Sequence, residues 1–142
     1  MRELTVPART DELPRVTAFI DEQLEVLDCP MKAQMQIDVA IDELFSNIAY
    51  YAYPDGEGEA TVAFDFDPET GLAAITFTDR GVPFDPLKTA DPDTSLGPEA
   101  RDVGGLGIFL VKKTMDGISY RYADGANRLR IQKRVAPARG AE

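Results

Sequence analysis

Between Pro30 and Pro54 the chain holds neither proline nor glycine, and its apolar residues recur at helical spacing. One long helix is predicted here, with Pro30 suited to its first turn and Pro54 and the turn "PDGEG" stopping it. At 100° per residue Ile37, Ile41, Leu44 and Ile48 fall in a narrow arc, which is the stripe to be buried. Glu43 and Asn47 share the adjacent flank, one turn apart. A solvated polar flank is the plain account of such a pair. Asparagine, however, costs a helix interior roughly half a kcal/mol against alanine, so its presence asks for a reason. A carboxylate that orients or deprotonates a nucleophile, with an amide oxygen one turn away ligating a hard cation, is such a reason.

A long amphipathic helix needs a surface to cover, and the rest of the chain supplies strands. Arg2 to Val6 alternates briefly and predicts a short strand ended by Pro7. Thr10 suits a helix N-cap, with Asp11 and Glu12 in the first turn and an apolar face of Phe19, Ile20, Leu24 and Leu27 running to about Asp28. After the long helix come "ATVAFDF" and "LAAITFTD", joined by "DPETG" as a hairpin. From Arg80 to about Val103 there is no sustained periodicity but four prolines, the pattern of a lid or binding loop. "GGLG" then opens the apolar helix "IFLVKKTMD", and "ISYRYA" and "NRLRIQKRV" flank the turn "DGAN". The order β, α, α, β, β, lid, α, β, β predicts a mainly antiparallel sheet with helices on one face, an α+β two-layer sandwich. It is expected to be a single domain over 1–135, with 136–142 a frayed tail.

Composition narrows the chemistry. A length of 142 residues with 44% hydrophobic and 28% charged residues is that of one ordinary globular domain. A net charge of −10 opposes the phosphate backbone of nucleic acids and anionic lipid alike. No apolar run is long enough for a membrane span, and "MRELTVPART" lacks the apolar core of a signal peptide, so a cytoplasmic address is expected. The single cysteine, Cys29, rules out an internal disulfide and, before Pro30, reads as a packed small residue. Zero histidines remove every Ser/His and Cys/His pair and most zinc sites. Carboxylates, amides, backbone groups and a borrowed cation are what is left.

Two further stretches carry chemistry. Asp79 closes the strand "LAAITFTD" and Gly81 follows in "TDRGVPFDP". Asp and Gly at a strand end often make only a turn. The alternative is a carboxylate that accepts from an exocyclic amine beside a glycine that lets a base approach the backbone. Gly104, Gly105 and Gly107 lie at a helix N-terminus, where bare N–H groups can bind phosphate or where glycines merely break the loop. The spacing is neither that of a P-loop nor GxGxxG in a βαβ unit.

Taken in order, "DELFSNIAYYAY", "DRGVPFDP" and "GGLGIFLVKKTMD" resemble the GHKL ATPase superfamily and, within it, the anti-sigma regulatory factors that are serine/threonine protein kinases. The resemblance covers about Pro30 to Val135. It implies the Bergerat fold of histidine kinase-like ATPases: helices over a mixed, mainly antiparallel sheet, with ATP under a lid. Asn47 then matches the magnesium ligand, Glu43 the general base, Asp79 the aspartate that reads the adenine amino group, and Gly81 the glycine beside it. Gly104, Gly105, Leu106 and Gly107 match the run that closes over the phosphates. Where relatives often carry a basic lid residue just before that run this chain has Val103, so Arg101 is the expected phosphate contact; Asn127 stands on the last strand, without the threonine that supports adenine. The cofactors implied are ATP and Mg2+. The partners implied are an anti-anti-sigma protein of the STAS type, phosphorylated on serine or threonine, and a sigma factor, with the chain a homodimer. A non-catalytic ATP-gated binding module and a sensor-kinase catalytic fragment are the competing functions.

Overall fold

The computed structural model describes residues 1–88 and 103–137, and of 103–106 the backbone alone. The strands are β1 (Arg2–Pro7), β2 (Glu59–Asp67), β3 (Leu72–Asp79), β4 (Gly117–Ala123) and β5 (Ala126–Arg134), and the helices α1 (Leu13–Val26), α2 (Met31–Tyr51) and α3 (Val103–Thr114). The strands form one sheet in the order β1-β2-β3-β5-β4. All four pairings are antiparallel, so the parallel component of the expected mixed sheet does not occur among the described residues.

Each element follows from its residues. β2 alternates, with Ala60, Val62 and Phe64 turned inward, because successive side chains of a strand point to opposite faces. β3 lies in the middle of the sheet and buries Ala73, Ala74, Ile75 and Phe77. Asp124 and Gly125 both take positive φ, 56° and 75°, the two-residue turn whose twist suits a hairpin, and this joins β4 to β5. On the helix side Ile37, Ile41 and Leu44 are buried as the periodicity predicts, together with Ala40 and Phe45, whereas Ile48 is only partly covered. Val16, Ile20 and Leu24 of α1 and Ile108 and Val111 of α3 complete the core.

The first helix differs from expectation. Thr10 does not cap it: Thr10–Glu12 form a 3-10 turn, and α1 begins at Leu13 without a side-chain cap. Pro14 explains this, since its fixed φ and missing N–H suit the first turn of a helix. The helix stops at Val26, and Asp28 takes φ 56° on the way to Pro30. Of the expected lid, Pro86–Lys88 make a 3-10 turn, while 89–102, including Arg101, lie outside the described residues.

α1 and α2 meet across two acids, Asp21 and Asp38. One oxygen of each, Oδ1, is buried without a partner. Two ionised carboxylates cannot donate to one another, so the contact is satisfied only when one holds a proton. Burial first, then the hydrogen bond and the charge of Asp21, push Asp38 up to about 7. A carboxyl raised on folding stabilises the fold below its unfolded pKa and loses that contribution as pH rises through the folded value. Asp38→Asn should therefore raise the melting temperature at pH 8, with the gain shrinking toward pH 5; thermal melts across that range check it.

Candidate functional site

Strand register makes the first half of the site. Asp79 ends β3 directly opposite Asn127 of β5, and these two are the buried polar side chains among the described residues. Asn127 is satisfied at every position. Its Nδ2 donates to Asp79 Oδ1 at 2.9 Å and to the Val82 carbonyl at 2.9 Å. Its Oδ1 accepts from the Phe84 N–H at 3.1 Å and from the Tyr120 hydroxyl. Burial raises the pKa of Tyr120 further above neutrality, where its hydroxyl is in any case a donor. Asp79 Oδ1 also accepts from the Gly81 N–H at 2.9 Å, which is the turn geometry expected of Asp and Gly at a strand end. Asp79 Oδ2 makes no hydrogen bond among the described residues, and Asp79 lines a cavity.

Helix α2 supplies the facing wall. Leu44, Asn47 and Ile48 line this cavity together with Phe77, Asp79 and Asn127, and among the described residues no lysine or arginine does. The space is about 40 Å3, enough for about one water. The rings of Tyr51 and Phe84, 6.1 Å apart and tilted by 38°, stand at its margin. Tyr53, just past α2, ties the wall to the sheet: its hydroxyl donates to the Glu59 carbonyl at 2.6 Å and accepts from the Arg80 N–H at 2.9 Å.

Glu43 sits one turn before Asn47 and leans on α3. A Cβ placed on Gly107 would stand 1.9 Å from Glu43 Oε2, so a side chain there would displace the tip of this carboxylate. Burial first, and Asp42 second, raise the Glu43 pKa, the direction that suits a proton acceptor near neutral pH. Gly81 has a different task. Its added Cβ would meet the Ala52 carbonyl oxygen at 2.0 Å, and the Val82 N–H donates to that same oxygen at 2.8 Å. The close approach that demands glycine there is the end of α2.

No group of three or more His, Cys, Asp or Glu side chains that could hold a metal occurs among the described residues. A hard cation held by the Asn47 amide oxygen with phosphate oxygens and water would follow the pattern of Mg2+ rather than of a caged Ca2+. No helix among the described residues is long and apolar enough to cross a membrane.

The model of the histidine kinase-like ATPase domain matches residues 6–133. The chain belongs to this family. Among curated relatives of the family, the serine/threonine-protein kinase BtrW of Bordetella bronchiseptica is 24% identical over 106 residues, 75% of this chain and 74% of its own. A serine-protein kinase RsbW of Bacillus cereus is 31% identical over 91 residues, 61% of this chain, which spans 56% of that protein. The RsbW of Halalkalibacterium halodurans is 28% identical over 130 residues, 87% of this chain and 76% of that protein. Of solved structures, the RsbU and RsbW domains of Rv1364c from Mycobacterium tuberculosis superpose over 100% of this chain and 35% of that one, at TM-score 0.62 and 17% identity. The blue-light activated histidine kinase of Erythrobacter litoralis gives TM-score 0.52 at 17% identity, over 76% of this chain and 32% of that chain. Both share the family fold.

Of the residues singled out by sequence, Asn47, Asp79 and Gly81 gather about the cavity, and Glu43 meets Gly107 one turn along α2. Gly104 and Gly105 lie in the first turn of α3; the Leu106 side chain and Arg101 are outside the described residues. Tyr120, Tyr53 and Phe84 escaped the sequence reading. The signal for Tyr120 and Asn127 was alternation in a terminal hairpin, which shows which side chains share a face but not which strand lies beside β3. The two glycines separate experimentally. Gly81→Ala should cost about 1–3 kcal/mol by overpacking against backbone. Gly107→Ala should leave stability equal or up to about 1 kcal/mol higher, because only the tip of Glu43 must move and alanine favours a helix. Urea unfolding midpoints at unchanged m-value measure both.

Proposed function

We propose that this chain binds Mg·ATP and transfers its terminal phosphoryl group to a serine or threonine of an anti-anti-sigma protein of the STAS type, and by that transfer controls how a sigma factor is held. The observation that carries the reading is that one helix presents Glu43 against Gly107 and, one turn later, Asn47 at a cavity that also holds Asp79. The names of the curated relatives, serine/threonine-protein kinase and serine-protein kinase, support the reaction class.

Asp79 Oδ2 is the acceptor offered to an adenine amino group, and Asn127 holds the carboxylate in place for it. The Tyr51 and Phe84 rings stand where a purine would insert, so they part to admit it. Asn47 offers its amide oxygen to Mg2+, and the first N–H groups of α3 at Gly104 and Gly105 offer themselves to phosphate. Bound Mg·ATP supplies the transferable group and the neutralising charge on which phosphoryl transfer chiefly depends. Glu43 takes the proton of the attacking hydroxyl. Its raised pKa holds it nearer to the pH at which it works than an ordinary glutamate would be.

The test mixes the chain with Mg·ATP and each STAS protein of the same genome. Acid-stable phosphate on the STAS protein is expected; ATP binding with no transfer to any cognate partner sinks the kinase and leaves a nucleotide-gated binding module. Glu43→Gln should lower the transfer rate by about 10²–10⁴-fold while ATP affinity holds. Transfer by the unaltered chain should fall on acidification through a value above the ordinary glutamate range, and Glu43→Gln should abolish that limb. A rate profile from pH 5 to 8 decides it.

A further inference from the structure

The opposite end of α2 carries a surface that this chemistry has not used. Met31, Met35 and Val39 are 77%, 61% and 51% exposed, and Leu110 of α3 is 44% exposed. With Gln36, Lys32 and Thr114 they line a groove of about 540 Å3 between α2 and α3. Scattered exposed apolar residues are ordinary, whereas a contiguous set in a groove marks an interaction site. Methionine suits such a surface, being flexible and polarisable.

Position gives the groove its meaning. Met31, Met35, Val39, Glu43 and Asn47 succeed one another at intervals of four along α2, each step rising about 6 Å. The cavity with Asp79 flanks the end of this ridge beyond Glu43, and the groove flanks the end before it. α3 repeats the order, since Gly107 touches Glu43 and Leu110 and Thr114 follow along the groove. Glu43 lines neither cavity nor groove, but lies on α2 between the two.

We infer that this groove seats the protein that offers the acceptor hydroxyl, by an apolar ridge with a carboxylate placed to meet Lys32. The inference rests on the kinase reading. Among the described residues Lys32 is the one charged residue lining the groove, in a chain of net charge −10. A second copy of the chain fits it poorly, because a two-fold contact would bring together two grooves whose described residues hold a lysine and no carboxylate.

Met35→Glu and Leu110→Glu, one on each helix, are compared with the unaltered chain for transfer to the STAS protein it phosphorylates. Tenfold or greater rises in KM for that protein, with kcat at saturation and ATP affinity near normal, support the groove. Lys32→Glu should raise the same KM less, by an amount that shrinks in high salt. Unchanged KM in both glutamate variants overturns the inference. So does a shift from dimer to monomer in sedimentation with KM intact, which would assign the groove to a second copy. Circular dichroism checks folding; where a glutamate variant unfolds, Met35→Ala replaces it, with a rise of about threefold expected and an unchanged KM counting against the groove. Should the unaltered chain phosphorylate none of the STAS proteins, the kinase reading fails by itself. Calorimetric titration with those same proteins then judges the groove: binding lost in Met35→Glu supports it, and binding kept, or absent from the start, overturns it.

Discussion

One side chain, Asn127, holds the site in shape. Two donors and two lone pairs are all it has, and all four are engaged: with Asp79, with the Val82 carbonyl, with the Phe84 N–H and with the Tyr120 hydroxyl. These partners come from β3, the segment that follows it, and β4. A buried amide so fully paired is costly to disturb, because any partner left behind is stranded without water. The loop after Asp79 consequently keeps one path over the sheet, and one oxygen of Asp79 stays turned to the cavity.

Charge shapes the site by what it lacks. Among the described residues no basic side chain lines the cavity, and the chain is strongly acidic. Among the described residues, a polyphosphate would meet no side-chain cation there. On the proposed reading, backbone N–H groups at the start of α3 and a divalent ion at Asn47 would supply the attraction, a glycine-rich helix start paired with an amide ligand. With no histidine in the chain, the proposed proton transfer would fall to Glu43, a carboxylate whose surroundings raise its pKa.

Much of this was legible before any coordinates. The α2 stripe, both hairpins and the α+β layering follow from period, proline and turn residues, and Glu43, Asn47 and Asp79 were marked by residue type and order. What was illegible depended on non-local geometry. The insertion of β5 between β3 and β4 decides that Asn127 faces Asp79, and nothing local to either strand states it. Thr10 was misread because Pro14 moved the helix start. Gly81 and Gly107 look alike in sequence, yet one faces the rigid Ala52 carbonyl and the other only the movable tip of the Glu43 carboxylate.

The unbroken course of α2 has a mechanical consequence. Its C-terminal half lies along the cavity, its N-terminal half carries the exposed apolar ridge, and Glu43 lies between them, with no glycine or proline anywhere in the span. The helix is thus a ruler graduated in turns, and the separation of its two ends is counted in residues rather than set by a flexible joint. Deleting a single residue between Val39 and Glu43 would rotate one end against the other by about 100° and shorten the gap by about 1.5 Å. Point substitutions can retune either end alone, whereas a change of length puts the two out of phase.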